Sequence, residues 1–231
     1  MSSLNSNGQF LNRFSKTFNN RVLDMFVIKD NIFITINSMA FEGDNCSLCK
    51  KAARSLMNIS KVLNCLKNDT NCKYLNVMNF YSKPIILQHF PLFRYSDLNC
   101  SHIHKDSNFQ QMKPKYDCLS YHASQQIMET LMPRLVLSGH THSDCHITHK
   151  NNINEYTVGS FNWRNTNRPS LLLLSSNSQS YLVKMCHGPD ENLILNIYYI
   201  NIFLMSLSIM FLFGIIIYRN ILPTKIIEKM Y

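Results

Sequence analysis

From Leu193 to Tyr218 the chain reads LILNIYYINIFLMSLSIMFLFGIIIY and carries no charge. An uncharged apolar run of more than about 20 residues is long enough to cross the hydrocarbon core of a bilayer as a helix. A core helix of a soluble protein is usually shorter and keeps a polar face. Here only Asn196, Asn201, Ser206 and Ser208 are clearly polar. The run therefore predicts one transmembrane helix over 193–218. Arg219, Lys225 and Lys229 follow it, opposed only by Glu228. Basic residues beside a span stay in the cytosol, so 219–231 is expected to be a short basic cytosolic tail. Residues 1–190 are then expected to form a domain facing the lumen.

Composition narrows what that domain can be. A hydrophobic fraction of 45% with 14 Phe and 11 Tyr excludes a wholly disordered chain. Six Gly and seven Pro exclude collagen-like and low-complexity architectures. The net charge of +9 invites a nucleic-acid reading, but no basic cluster is denser than Lys50-Lys51. Arg and aromatic residues do not interleave either. The excess reads as solvated surface, and no nucleic acid is expected as a partner.

The compartment is argued from cysteines. The opening stretch MSSLNSNGQFLNRFSKTF has no apolar core and no cleavage site, so it does not read as a signal peptide. A tail-anchored cytosolic protein is the competing arrangement. Against it stand eight cysteines, four of them clustered as Cys46, Cys49, Cys65 and Cys72, a density that fits an oxidising compartment. Zinc is disfavoured because the second pair is spaced more widely than the two to four residues typical of zinc ligands. Disulfides are expected, with their connectivity open. Asn45, Asn58, Asn68 and Asn99 are N-glycosylation acceptors by sequence. At this Asn, Ser and Thr content chance alone gives about four such sites, so they carry no weight in choosing the compartment.

Local patterns give the elements. Asn31 to Ser38 reads as a strand, and Glu42 to Leu66 as polar, cysteine-bearing and partly helical. Lys83 to His89 (KPIILQH) reads as a short buried strand behind a proline. Phe90 to Tyr116 is loop-like. Leu119, Ala123, Ile127 and Leu131 recur every four positions, which predicts an amphipathic helix ended by Pro133. Arg134 to Ser138 is another short buried strand. Glu155 to Phe161, Ser170 to Leu174 and Ser180 to Met185 read as three antiparallel strands. The sum is a layered α/β domain.

Chemistry gathers at the strand ends. His140-Thr141-His142 follows a strand and Gly139, and two histidines separated by one residue can serve one site from an extended or turning segment. Gly139 is expected to let the backbone bend close to a metal. Neutral imidazole is a good ligand for Zn, Mn or Fe. His89 ends another strand, at the sheet edge where α/β proteins bind ligands. His102, His104, His122, His146, His149 and His187 read as ordinary surface or satisfied side chains. Arg94 suits a phosphate contact, as does Arg164, and Trp163 could pack on a sugar face. Loop packing explains these three equally well.

The stretches Pro84-Ile85-Ile86-Leu87-Gln88-His89-Phe90-Pro91 and Leu135-Val136-Leu137-Ser138-Gly139-His140-Thr141-His142 resemble the last two metal motifs of the calcineurin-like metallophosphoesterases. Ser160-Phe161-Asn162-Trp163-Arg164-Asn165 and Gly43-Asp44-Asn45-Cys46-Ser47-Leu48-Cys49 resemble a membrane-bound member that remodels GPI anchors. The resemblance implies the C-terminal portion of a four-layer α/β/β/α sandwich followed by one transmembrane helix. It implies two divalent ions, usually Mn²⁺, with His89 and His140 on one and His142 on the other. It implies a phosphodiesterase removing ethanolamine-phosphate from the second mannose of a GPI glycan. The implied place is the membrane of ER exit sites, the ER–Golgi intermediate compartment or the Golgi, with GPI-anchored proteins and membrane lipid as partners. The family's upstream Asp-x-His, Gly-Asp and Gly-Asn-His motifs are not found in this sequence. The chain is therefore expected to match the second half of the catalytic domain, with little metal affinity and no turnover. The competing reading is a non-catalytic membrane-anchored remnant or interaction protein.

Overall fold

The computed structural model describes residues 13, 16–17, 21–43, 47–68, 72, 81–101 and 111–228. The chain divides into Met1–His187 and Gly188–Tyr231.

The first unit is built on a six-stranded sheet of order β1-β2-β3-β4-β6-β5. Its strands are β1 (Leu23–Ile28), β2 (Asn31–Ile36), β3 (Ile85–Gln88), β4 (Leu135–Ser138), β5 (Cys145–Thr148) and β6 (Asn154–Thr157). β2, β3, β4 and β6 run parallel, while β1 and β5 lie antiparallel on the two edges. Parallel strands are covered on both faces and so read as unbroken apolar runs, which is what IFITI, IILQ and LVLS are. Ile34, Ile86 and Val136 stand side by side in the register. They join one core with Ala52, Leu56 and Leu63 of α1 (Ser47–Asn68) and Ala123, Ile127 and Leu131 of α2 (Tyr121–Leu131). Both helices thus cover one face.

Phe33, Ile85, Leu135 and Asn154 form the neighbouring row, on the other face. Here lies an antiparallel ribbon of β7 (Ser170–Ser176) and β8 (Tyr181–His187). Asn154 Nδ2 donates to the Tyr181 hydroxyl at 2.6 Å. Arg134 donates to the Asn177 carbonyl at 2.8 Å and lies over the Tyr181 ring. The described residues therefore make three layers: helices, sheet and ribbon. The four-layer sandwich expected from the resemblance is not complete among them.

Three expectations are corrected. The segment beginning at Glu155 is not the first of three antiparallel strands. It is β6, parallel to β4 and antiparallel to β5, and of the three expected strands only β7 and β8 pair with each other. β1 and β5 are strands that the sequence reading missed. β1 pairs with β2 through a two-residue turn in which Lys29 and Asp30 both take positive φ (46° and 61°). That turn type favours Asn-Gly. Lys-Asp gave no signal, and Asn31 Nδ2 stabilises the turn by donating to the Ile28 and Lys29 carbonyls.

α2 has clear ends. The Ser120 hydroxyl accepts from the Ala123 amide at the start, and Met132 takes a left-handed conformation at the finish, just before Pro133. Cys65 pairs with Cys72, and Cys100 with Cys145. Cys49 is also disulfide-bonded. Cys46 and Asn45 lie outside the described residues, as do His102 and His104.

In the second unit α3 (Glu191–Glu228) contains an apolar stretch over Glu191–Asn220, with mean hydropathy 2.5 and none of it buried. At 1.5 Å per residue such a stretch reaches about 45 Å, more than the roughly 30 Å of a bilayer core. Three of its polar side chains turn back onto the helix. Asn201 donates to the Ile197 carbonyl, Ser206 to Phe203 and Ser208 to Leu204. That removes polar groups which hydrocarbon would leave unsatisfied.

Candidate metal centre

β3 and β4 are parallel neighbours, so the residues that follow them emerge at the same sheet edge. His89 follows β3, and Gly139-His140 follows β4. The Gly139 amide donates to the His89 carbonyl at 2.9 Å, which carries the strand pairing one step further. The two imidazoles then meet, with His140 Nδ1 3.1 Å from His89 Nε2. The rings are edge to face, and Phe90 packs on His140 with ring centroids 3.9 Å apart.

His140 is held from its far side. Its Nε2 lies 2.6 Å from the Tyr116 carbonyl oxygen. A carbonyl only accepts, so Nε2 carries the proton and the neutral ring has its lone pair on Nδ1, facing His89. Metal-binding histidines are oriented in this way by a hydrogen bond from the other ring nitrogen. Burial lowers the His89 pKa below the ordinary imidazole range, and His140 and His142 lower it further. The neutral form, which binds metal, is therefore favoured at neutral pH.

Gly139 does not play the part expected of it. A Cβ there would meet nothing nearer than 3.8 Å. The left-handed residues are His140 (φ 77°) and His142 (φ 59°). Non-glycine residues rarely adopt that conformation, and it clusters at functional sites. The strain of the loop therefore sits on its histidines.

Two clamps hold the loop. Asp144 accepts from the Gly159 amide at 2.7 Å and the Ser170 hydroxyl at 2.8 Å through Oδ1, and meets His187 Nε2 at 2.6 Å through Oδ2. The Cys100–Cys145 disulfide ties the end of the loop to the turn Asp97–Asn99, and Asp97 accepts from the Ser143 hydroxyl at 3.2 Å. Behind β4, Glu155 is fully buried. It accepts from the Leu92 amide, the Ser138 hydroxyl and His149 Nε2. These supports were not visible in the sequence, because all but His149–Glu155 join residues more than a dozen positions apart.

The other expected site residues are placed as follows. Arg94 is buried, with Nε on Asp97 at 2.7 Å and Nη1 on the Thr157 hydroxyl at 3.0 Å, so it faces inward and not toward solvent. Trp163 and Arg164 lie exposed on the turn after β6. Among the described residues, the group of three ligating side chains within 4.8 Å of one another is Asp97, Cys100 and Cys145. Two of those are the disulfide, so they form no metal site. His142 does not close a triad with His89 and His140.

The pair itself fits a divalent ion. Two nitrogens bound to one metal at about 2.0–2.1 Å stand roughly 3.0–3.4 Å apart, and the 3.1 Å between His89 and His140, which here is a hydrogen bond between the rings, is compatible with that separation.

No family model matches the chain, but curated relatives do. Metallophosphoesterase 1 of Cricetulus griseus is 41% identical over 194 residues, which is 81% of this chain and 49% of the relative. That of Rattus norvegicus is 40% identical over 195 residues, again 81% of this chain and 49% of the relative. The Metallophosphoesterase 1 homolog of Drosophila melanogaster is 37% identical over 190 residues, 82% of this chain and 51% of the relative. Over about four-fifths of its length the chain is thus similar to metallophosphoesterases. It spans about half the length of the curated relatives it matches. The name these relatives share describes phosphoesterases that use a metal. The His89–His140 pair is the feature of this chain that suits such chemistry.

Proposed function

We propose that this chain is the C-terminal part of a membrane-anchored, metal-dependent phosphodiesterase acting on the ethanolamine-phosphate of a GPI glycan. The observation that carries the proposal is the His89–His140 pair brought together at two parallel strand ends, with nitrogens 3.1 Å apart and His140 braced by the Tyr116 carbonyl. His89 and His140 would hold one ion and His142 a second, Mn²⁺ in this proposal, and such ions would supply Lewis-acid polarisation of a phosphoryl oxygen and activation of water. The Tyr116 carbonyl would keep the His140 Nδ1 lone pair free for the ion. Trp163 and Arg164, on their exposed turn, offer a stacking face and a cation to a phosphorylated sugar. The proposed setting is the lumenal side of ER-exit or Golgi membranes, where GPI-anchored proteins pass.

One observation favours a second reading, a non-catalytic membrane-anchored interaction protein. Among the described residues no carboxylate groups with His89 and His140 to complete a ligand set. Elemental analysis of the purified full chain after Mn²⁺ loading separates the two, with hydrolysis of bis(p-nitrophenyl) phosphate as the second readout. Bound metal that is lost in His140→Ala supports the proposal. Absence of bound metal, or equal binding in His140→Ala, rejects the His89–His140 metal site in this chain and leaves the second reading.

A further inference from the structure

The β7–β8 ribbon has one face settled by its contacts and one left open. Tyr181 bonds to Asn154 and His187 to Asp144. The odd-numbered residues of β8 therefore face the sheet, and strand alternation turns Leu182 and Lys184 outward. In the register Lys184 stands opposite Leu173 and Leu182 opposite Ser175, which makes Leu173 and Leu182 diagonal neighbours on the outer face. Leu182 is 71% exposed and Leu173 55%.

Charge on this stretch runs one way. From Tyr156 to Pro189 there is no acidic residue, while Arg164, Arg168 and Lys184 are exposed cations. The turn that leads into β7 adds Phe161, 70% exposed. Apolar and basic side chains without acids compose a surface suited to phospholipid. The apolar groups enter the acyl boundary, and the cations meet headgroup phosphates.

The position of this surface in the chain names its occupant. Only Gly188, Pro189 and Asp190 separate β8 from α3. Helix begins at once, with the Asp190 carboxylate accepting from the Asn192 amide. Three residues reach about 10 Å when fully extended. A strand tied this closely to a membrane-crossing helix stays at the bilayer surface, and the bilayer is within reach in every copy of the chain.

We infer that the outer face of the β7–β8 ribbon rests on the phospholipid surface that α3 crosses. Leu173 and Leu182 sit at the acyl boundary, and Lys184 and Arg168 sit on headgroup phosphates. The inference rests on the membrane-anchored part of the proposed function and not on the metal site. His187 of the same ribbon grips Asp144 beside the histidine loop, so this contact also sets how far that loop stands from the membrane.

The test follows tryptophan emission in the full chain reconstituted into phosphatidylcholine vesicles. Trp163 is the chain's only tryptophan, so Trp163→Phe gives a silent background into which Leu182→Trp or Met57→Trp is placed. Met57 is 66% exposed on α1, in the layer on the other side of the sheet. Phosphatidylcholine with a spin-labelled headgroup is expected to quench Leu182→Trp and to leave Met57→Trp bright. Adding Leu173→Ser and Lys184→Gln to the Leu182→Trp protein should reduce its quenching. An unquenched Leu182→Trp, equal quenching of both reporters, or quenching that the added substitutions leave unchanged overturns the inference. Flotation with the vesicles in alkaline carbonate reports α3 by itself, so a helix that does not insert is told apart from a ribbon that does not dock.

Discussion

Gly159 has no room for a side chain. A Cβ would stand 2.7 Å from the Ser170 hydroxyl, 3.1 Å from Asp144 Oδ1 and 3.2 Å from the His142 carbonyl. Gly159→Ala should therefore part Asp144 from its amide donor and press on the histidine loop. Overpacking of this kind costs about 1–3 kcal/mol. Thermal unfolding of the variant is expected to show that loss, and an unchanged midpoint would mean the contact relaxes freely. His89 makes a second prediction, on pH. Its folded pKa lies below the ordinary value, so the unfolded chain binds the proton more readily. Its contribution to stability is full above the unfolded pKa of about 6.5 and is lost as pH falls through that value toward the folded pKa. His89→Gln should flatten the decline in thermal midpoint over that window, and an identical slope in both proteins would reject the assignment. At this scale the sequence was informative about ligands and silent about supports. His89, His140 and His142 stand in short local motifs. Asp144, Glu155 and the Tyr116 carbonyl act through partners far along the chain, which no local spacing encodes.

Apolar continuity made β2, β3 and β4 legible, and the four-residue spacing made α2 legible. β6 was misread because its buried acid breaks the apolar pattern: Glu155 sits fully buried in a strand of sequence NEYT. It is tolerated because both carboxylate oxygens are engaged. β5 was missed for a related reason, since CHIT carries its burial in a disulfide cysteine and not in an alternating apolar face. That disulfide is the element-level prediction. Cys100 and Cys145 are 45 residues apart in sequence, and bridges closing loops of this order contribute typically 2–4 kcal/mol, about the scale of a domain's spare stability. Replacing both with serine should lower stability by about that much and loosen the segment carrying His142. Hydrogen exchange over 140–146 reads the second effect: faster exchange there is expected, and unchanged protection would leave the loop held by Asp144 alone. For α2, Ser120→Ala removes the N-cap and should cost about 1 kcal/mol in denaturant unfolding.

At the scale of the molecule, two features point to the same side of a membrane. The helix Glu191–Asn220 is apolar and bonds its own polar side chains back onto its backbone. The other unit holds disulfides at Cys65–Cys72 and Cys100–Cys145, which persist in oxidising compartments and are rare in the cytosol. With basic residues following the span, Met1–His187 is expected in the lumen. The glycosylation sites then become useful. By number they were no more than chance, but Asn58, Asn68 and Asn99 are exposed, as acceptor sites must be for a transferase to reach them. Expressed in cells, the chain should migrate faster after endoglycosidase treatment, and Asn68→Gln should remove part of that shift. Its cysteines should resist alkylation until reductant is added, apart from Cys118 and Cys186, which are free. Burial raises the Cys118 thiol pKa, so that thiol should react only on unfolding. The two readouts are independent, one reporting sugar transfer and the other redox poise. A chain that shows no shift and alkylates fully without reductant is tail-anchored with its domain in the cytosol, and a lumenal glycan could not then be its substrate.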